Sequence, residues 1–368
     1  MRTRYKRWIE DWEYRLTTRD SNRVVRPFEW GLDWAKRWPF VNGNLPHAHE
    51  GAEQFLHELN DRVVQHSDEF YSYAVPKDFR LERRKVERFA TGSDKDEQNR
   101  NVPDETAEFL RFTSPVRTDY PENNLVNARW FPARGRRAVI VLPQWNSDAL
   151  SHNSLCRLFN MMGIAALRLS MPYHDIRMPA ELQRADYAVS ANIARTIDAT
   201  RQAVIDVRCC LDWLESRGYS RFGILGTSLG SCYAFLASAH DKRIAVNAFN
   251  HASTYFADVV WTGQSTRHIR EGIEPVLDVD RLRQAWLSIS PMAYFDKFAR
   301  WPKKVLVIYA DYDLTFLPQF SREIVSKFRA HHIDHKVVVM PCGHYTIGET
   351  PFKYMDGYQI ARFVYSNM

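Results

Sequence analysis

Three residue types that together can activate a hydroxyl are spread along this 368-residue chain in a definite order. Ser228 stands at the centre of Gly226-Thr227-Ser228-Leu229-Gly230, after the apolar run Phe222-Gly223-Ile224-Leu225 and before Ser231-Cys232-Tyr233-Ala234-Phe235-Leu236-Ala237. This is G-x-S-x-G between a strand and a helix. A serine on a sharp, strained turn exposes its hydroxyl, and flanking glycines let strand and helix approach without a clash. The helix that follows offers a backbone N–H at its positive end, where an oxyanion can be held. The bland alternative is a packing turn with Ser228 as a helix N-cap.

The rest of the chain supplies partners. Lys304–Tyr309 reads as a buried strand leading into Ala310-Asp311-Tyr312-Asp313, and Lys336–Met340 as another leading into Pro341-Cys342-Gly343-His344. An acid and a histidine thus stand just past the carboxyl ends of two strands, where open α/β sheets build their sites. Ser, Asp and His also follow in the order expected of a nucleophile turn of this type. A free serine hydroxyl is a poor nucleophile, and a histidine base oriented by a carboxylate corrects that.

Over about residues 105–365 the sequence resembles the α/β-hydrolase superfamily on its serine esterase and lipase side, with the turn around Ser228 as the most specific part. Met171-Pro172-Tyr173-His174-Asp175-Ile176-Arg177-Met178-Pro179 is similar to a little-characterised branch of α/β-hydrolase-domain proteins. The resemblance implies Ser228 as nucleophile, His344 as general base and acid, and Asp313 as the group that orients the imidazole. Asp311 competes for that last role; Asp313 is preferred because it stands three residues after Ala310, the small residue closing its strand. The implied oxyanion hole is the N–H of Leu229 plus one from the loop after the strand Arg137–Leu142: Trp145 by position, Gln144 second. Where the family often has His-Gly, this loop has Pro143-Gln144. His174 and His251 fall near the site and could line a substrate pocket, although a supporting hydrogen-bonded role is commoner for such residues.

The elements around these residues predict an α/β fold, with a mostly parallel sheet covered on both faces by helices. Phe109–Val116 and Leu125–Phe131 read as the first two strands, antiparallel, and Tyr187–Arg217 as a long helix. Residues 1–100 read as a helical, aromatic-rich extension and 101–368 as the catalytic domain, joined through the polar stretch at 93–101. A cap insertion is expected at about 251–300, after the sixth strand, with Tyr255, Phe256 and Trp261 either lining a pocket or simply packing. In the extension, Trp8, Trp12 and Leu16 share one helical face, and Trp30, Trp34 and Trp38 repeat the spacing. Packing on the catalytic domain is the first explanation; peripheral membrane contact through the basic residues Arg2, Arg4, Lys6 and Arg7 is the alternative.

Composition removes other classes. The net charge of +6 is modest, without the basic stripe or zinc-finger spacing of a nucleic-acid binder. No phosphate-binding glycine motif is present. His49, Glu53 and His57 share a helical face, read as solvated rather than metal-binding. The five cysteines, without C-x-x-C spacing, and an amino terminus without an apolar signal core point to a cytoplasmic protein with reduced thiols. The expectation is a serine hydrolase of a carboxylic ester or thioester, a small-molecule substrate, with no cofactor and no metal. Acyl transfer by the same residues and a non-catalytic scaffold on the same fold are the rivals.

Overall fold

The computed structural model describes residues 2–41, 45–46, 51–86 and 105–368. The polar stretch at 93–101, and His47 and His49, lie outside them. Among the described residues nine strands form one sheet: β1 (Arg80–Lys85), β2 (Thr106–Thr113), β3 (Leu125–Phe131), β4 (Arg137–Leu142), β5 (Ala165–Leu169), β6 (Arg221–Thr227), β7 (Ile244–Asn250), β8 (Lys304–Ala310) and β9 (Asp334–Met340). Their spatial order is β1-β2-β3-β5-β4-β6-β7-β8-β9. β1, β2, β3 and β5 pair antiparallel, while β5, β4, β6, β7, β8 and β9 pair parallel.

β4 shows why the sheet is covered twice. Ala138, Ile140 and Leu142 join one core, while Val139 and Val141 join the other. Strand side chains alternate between faces, so an uninterrupted apolar run needs apolar partners on both. On the first face lie α4 (Ile193–Ser216) and α5 (Leu229–His240). On the second lie α1 (Arg2–Thr18), α3 (Asn153–Met161) and α10 (Phe352–Asn367). The Asn192 side chain caps α4 by accepting from Arg195 N–H at 3.0 Å, which starts the helix six residues later than the expected Tyr187.

The extension differs from the sequence expectation in three respects. It contributes a strand, β1, whose sequence Arg-Leu-Glu-Arg-Arg-Lys carries no apolar alternation because it forms the sheet edge, where charge discourages further pairing. The expected first strand is therefore the second, and the cap follows the seventh. In α1 the buried line is Ile9, Glu13 and Thr17, one residue on from the expected Trp8, Trp12 and Leu16, and Trp8 is exposed. Trp30 precedes a four-residue helix at Leu32–Ala35 and Trp38 follows it, so these tryptophans do not share one helix. Trp38 is nevertheless buried, its indole N–H donating to Asp198 at 2.7 Å on α4. In α2 (Ala52–Gln65), Asn60 donates to the Ala285 carbonyl of the cap, and Glu53 pairs with Arg281.

The excursion between β7 and β8 comprises α6 (Phe256–Thr262), α7 (Arg267–Ile273) and α8 (Val279–Ala285), with short turns after them. Phe256 packs edge-on against Trp286. Val259 packs with Phe316 and Phe320, the latter on α9 (Pro318–Ala330). The cap aromatics thus pack largely inward. Among the described residues no helix is long and apolar enough to cross a membrane.

Candidate active site

Ser228 links β6 to α5 with φ 56° and ψ −119°, a conformation that L-residues rarely adopt and that strain-tolerant functional turns use. Its N–H donates to the Asn250 carbonyl at 2.8 Å, tying the turn to β7. The glycines on either side are required by close approach. A Cβ on Gly226 would lie 2.2 Å from the Gly230 carbonyl oxygen, and one on Gly230 would lie 2.3 Å from that of Leu142. Strand, helix and the end of β4 are therefore in backbone contact around the hydroxyl.

His344 follows β9 and Asp313 follows β8, both beyond the carboxyl ends of their strands. His344 Nε2 is 3.1 Å from Ser228 Oγ, and its Nδ1 is 3.0 Å from Asp313 Oδ2. With Nδ1–H donating to the carboxylate, Nε2 is left to accept from the hydroxyl. The other oxygen, Asp313 Oδ1, accepts from the N–H groups of Thr315 and Phe316, each at 2.7 Å. Burial alone would raise the Asp313 carboxyl, but His344 and His251 outweigh it and hold the acid well below its ordinary range. Burial likewise disfavours the charged His344, yet Asp313, with Glu13 adding, raises it above 6.5. Asp311 is exposed, its N–H donating to the Met340 carbonyl.

The flanking residues sort differently. His251 is fully buried and lies beside Asp313 Oδ2, at 2.8 Å from Nδ1 but not aligned for a hydrogen bond; its ring is 4.4 Å from that of His344. It touches the acid. His174 is buried too: it accepts from Asn146 N–H at 3.1 Å through Nε2, and its Nδ1 is 2.8 Å from the Pro172 carbonyl. Burial pushes it down to about 4, so it is neutral at pH 7 and serves the loop after β4. In that loop the Gln144 carbonyl accepts from Ser147 N–H, and the Trp145 indole donates to the Ala185 carbonyl at 3.0 Å. Asn146, at φ 58°, accepts from Ala185 N–H. Leu229 opens α5, so its N–H is a first-turn donor without an intrahelical acceptor.

Residues the sequence did not single out complete the surroundings. Phe316 lies parallel to His344, centroids 5.3 Å apart. His152 Nε2 is 2.9 Å from Thr227 Oγ1 beneath the turn. The cap docks on the acid loop through Gln264 N–H to the Leu314 carbonyl and the Thr315–Ser265 hydroxyl pair at 3.0 Å. The strand-free segment after α1 crosses nearby, where Asp20 pairs with Arg184, whose guanidinium sits 5.3 Å from the Trp145 ring. Ser228 is 6% exposed under this roof. No sequence signal marks such contacts, because they join segments far apart in the chain. Among the described residues, His251, Asp313 and His344 form one group whose ligand-type atoms lie within 4.8 Å, close enough for a cation. The imidazole of His344 is turned to the serine hydroxyl, which suits proton transfer better than coordination.

No family model and no curated protein matches the sequence. Solved structures do match by shape. An acetyl xylan esterase from Paenibacillus sp. R4 aligns over 96% of this chain and 99% of its own, at a TM-score of 0.55 and 12% identity. Acetyl xylan esterase 1 from Thermoanaerobacterium sp. JW/SL YS485 aligns over 85% and 98%, at 0.56 and 14% identity. An acylaminoacyl peptidase from Pyrococcus horikoshii aligns over 79% of this chain but 48% of its own, at 0.52 and 10% identity. At such identity shape is what is shared, and the chain has the α/β-hydrolase fold, common to esterases and to this peptidase.

Proposed function

We propose that the chain is a serine hydrolase that cleaves a carboxylic ester or thioester through an acyl-enzyme on Ser228. The observation that carries this reading is the continuous path from Ser228 Oγ to His344 Nε2 at 3.1 Å and from His344 Nδ1 to Asp313 at 3.0 Å. Ser228 Oγ attacks the carbonyl carbon while His344 takes its proton, and Asp313 stabilises the imidazolium that forms. The N–H groups of Leu229 and Trp145 receive the developing oxyanion. His344 then gives its proton to the departing oxygen or sulfur, and a water repeats the sequence to free the acid. The names of the esterase neighbours favour O-acyl substrates, as fold-level analogy.

Burial of Ser228 beneath cap and extension favours acyl transfer as the second reading, because the same residues acylate an alcohol or amine where water is excluded. Mass analysis of products formed with added acceptors separates the two. Residues 1–100 act here as an extension that completes the domain at 101–368. Five buried, unpaired cysteines fit a cytoplasmic location. Ser228→Ala is expected to abolish both fluorophosphonate labelling and turnover of p-nitrophenyl esters; retained turnover would exclude the mechanism.

A further inference from the structure

Glu13 has no solvent exposure, yet among the described residues no cation pairs with it. A buried carboxylate without partners is costly, so its donors identify its purpose. Apart from the Thr17 hydroxyl on the same helix, at 3.4 Å, they come from the two residues directly after His344. Tyr345 N–H reaches the two carboxylate oxygens at 2.9 and 3.1 Å, Thr346 N–H reaches Oε2 at 2.9 Å, and the Thr346 hydroxyl reaches the same oxygen at 3.0 Å.

The residue before His344 is shaped to admit the carboxylate. A Cβ on Gly343 would stand 2.3 Å from Glu13 Cδ, and Gly343 N–H donates to the Thr346 hydroxyl at 2.6 Å. Both flanks of the histidine are therefore held against one side chain of α1. Ile9, one turn earlier, shows that packing alone is met by an apolar residue at this face. Tyr5 adds a third tie through its hydroxyl to the Pro341 carbonyl.

We infer that Glu13 is a positioning residue: it fixes the His344 loop so that Nε2 meets the Ser228 hydroxyl, which makes the N-terminal helix part of the proton-transfer apparatus. The inference rests on the hydrolase reading above. Glu13 touches neither substrate nor reacting atoms. Its negative charge adds to that of Asp313 in raising the basicity of His344.

The test uses the full chain carrying Glu13→Gln or Glu13→Ala, with p-nitrophenyl acetate as substrate and Ser228→Ala as the control for the mechanism. Losing charge-assisted hydrogen bonds predicts kcat lower by about tenfold for Gln and about a hundredfold for Ala. KM should hold within about twofold, and the acid limb of kcat/KM should move to lower pH. Gly343→Ala should cost about as much as Glu13→Ala in the native background and add little to it, because the smaller side chain at 13 vacates the space the new methyl needs. The Gln variant answers the question even if Glu13→Ala unfolds. Unchanged kcat and an unmoved acid limb in Glu13→Gln, or additive losses in the cycle, would overturn the inference. Turnover surviving in Ser228→Ala would sink the hydrolase reading instead.

Discussion

His251 Nδ1 lies 2.8 Å from the Asp313 oxygen that also receives the proton-bearing nitrogen of His344. Burial and the neighbouring His344 push His251 below its ordinary range, so it is neutral at pH 7 and braces the acid without repelling the second ring. Asp313 keeps its two backbone donors when this brace is removed. His251→Ala should then lower kcat by about tenfold, against about 10⁴-fold for His344→Ala, while Ser228 still reacts with a fluorophosphonate. Equal losses from both variants would make His251 the base. Chelators should leave turnover unchanged; loss reversed by added zinc would turn the cluster into a metal site.

The pH profile follows from the same pair. His344 must be neutral to accept the serine proton, and Asp313 raises its affinity for a proton beyond the burial that opposes it. A base raised above 6.5 is inactive below that pH and gains activity as pH rises through the shifted value. The acid limb of kcat/KM should accordingly have its midpoint above 6.5. A midpoint below 6.5 would mean that Asp313 does not outweigh the burial of His344.

Gly230 offers a test of construction rather than chemistry. Its added Cβ in Gly230→Ala meets the Leu142 and Pro143 carbonyl oxygens at 2.3 and 2.5 Å, backbone atoms that no rotamer change can move. Destabilisation by more than about 2 kcal/mol is expected in denaturant unfolding. A neutral substitution would show that α5 is not held so closely against the end of β4.

The sequence displayed what is local or periodic. The strand-to-helix context of Ser228, and acid and histidine at strand ends, could be read because each depends on a few adjacent residues. Asp313 stands against His344, while Asp311 is exposed. β1 escaped because an edge strand needs no apolar face. The buried face of α1 is offset by one position from the tryptophan line because Glu13, a residue type that normally faces solvent, turns inward. A glutamate spaced by four from Ile9 and Thr17 was the available signal, and only its distant partners give it meaning. His174 was placed near the right loop, but its role as a support for Asn146 depends on three-dimensional contact.

The bond between Glu13 and Thr346 spans 333 positions of the chain. During synthesis the helix emerges long before its counterpart and must wait for all the chain between them. A polypeptide released ahead of residue 344 would carry Ser228 without the imidazole that the proposed mechanism needs. Products truncated ahead of residue 344 should be inert by the same logic, whatever length of sheet they have managed to assemble.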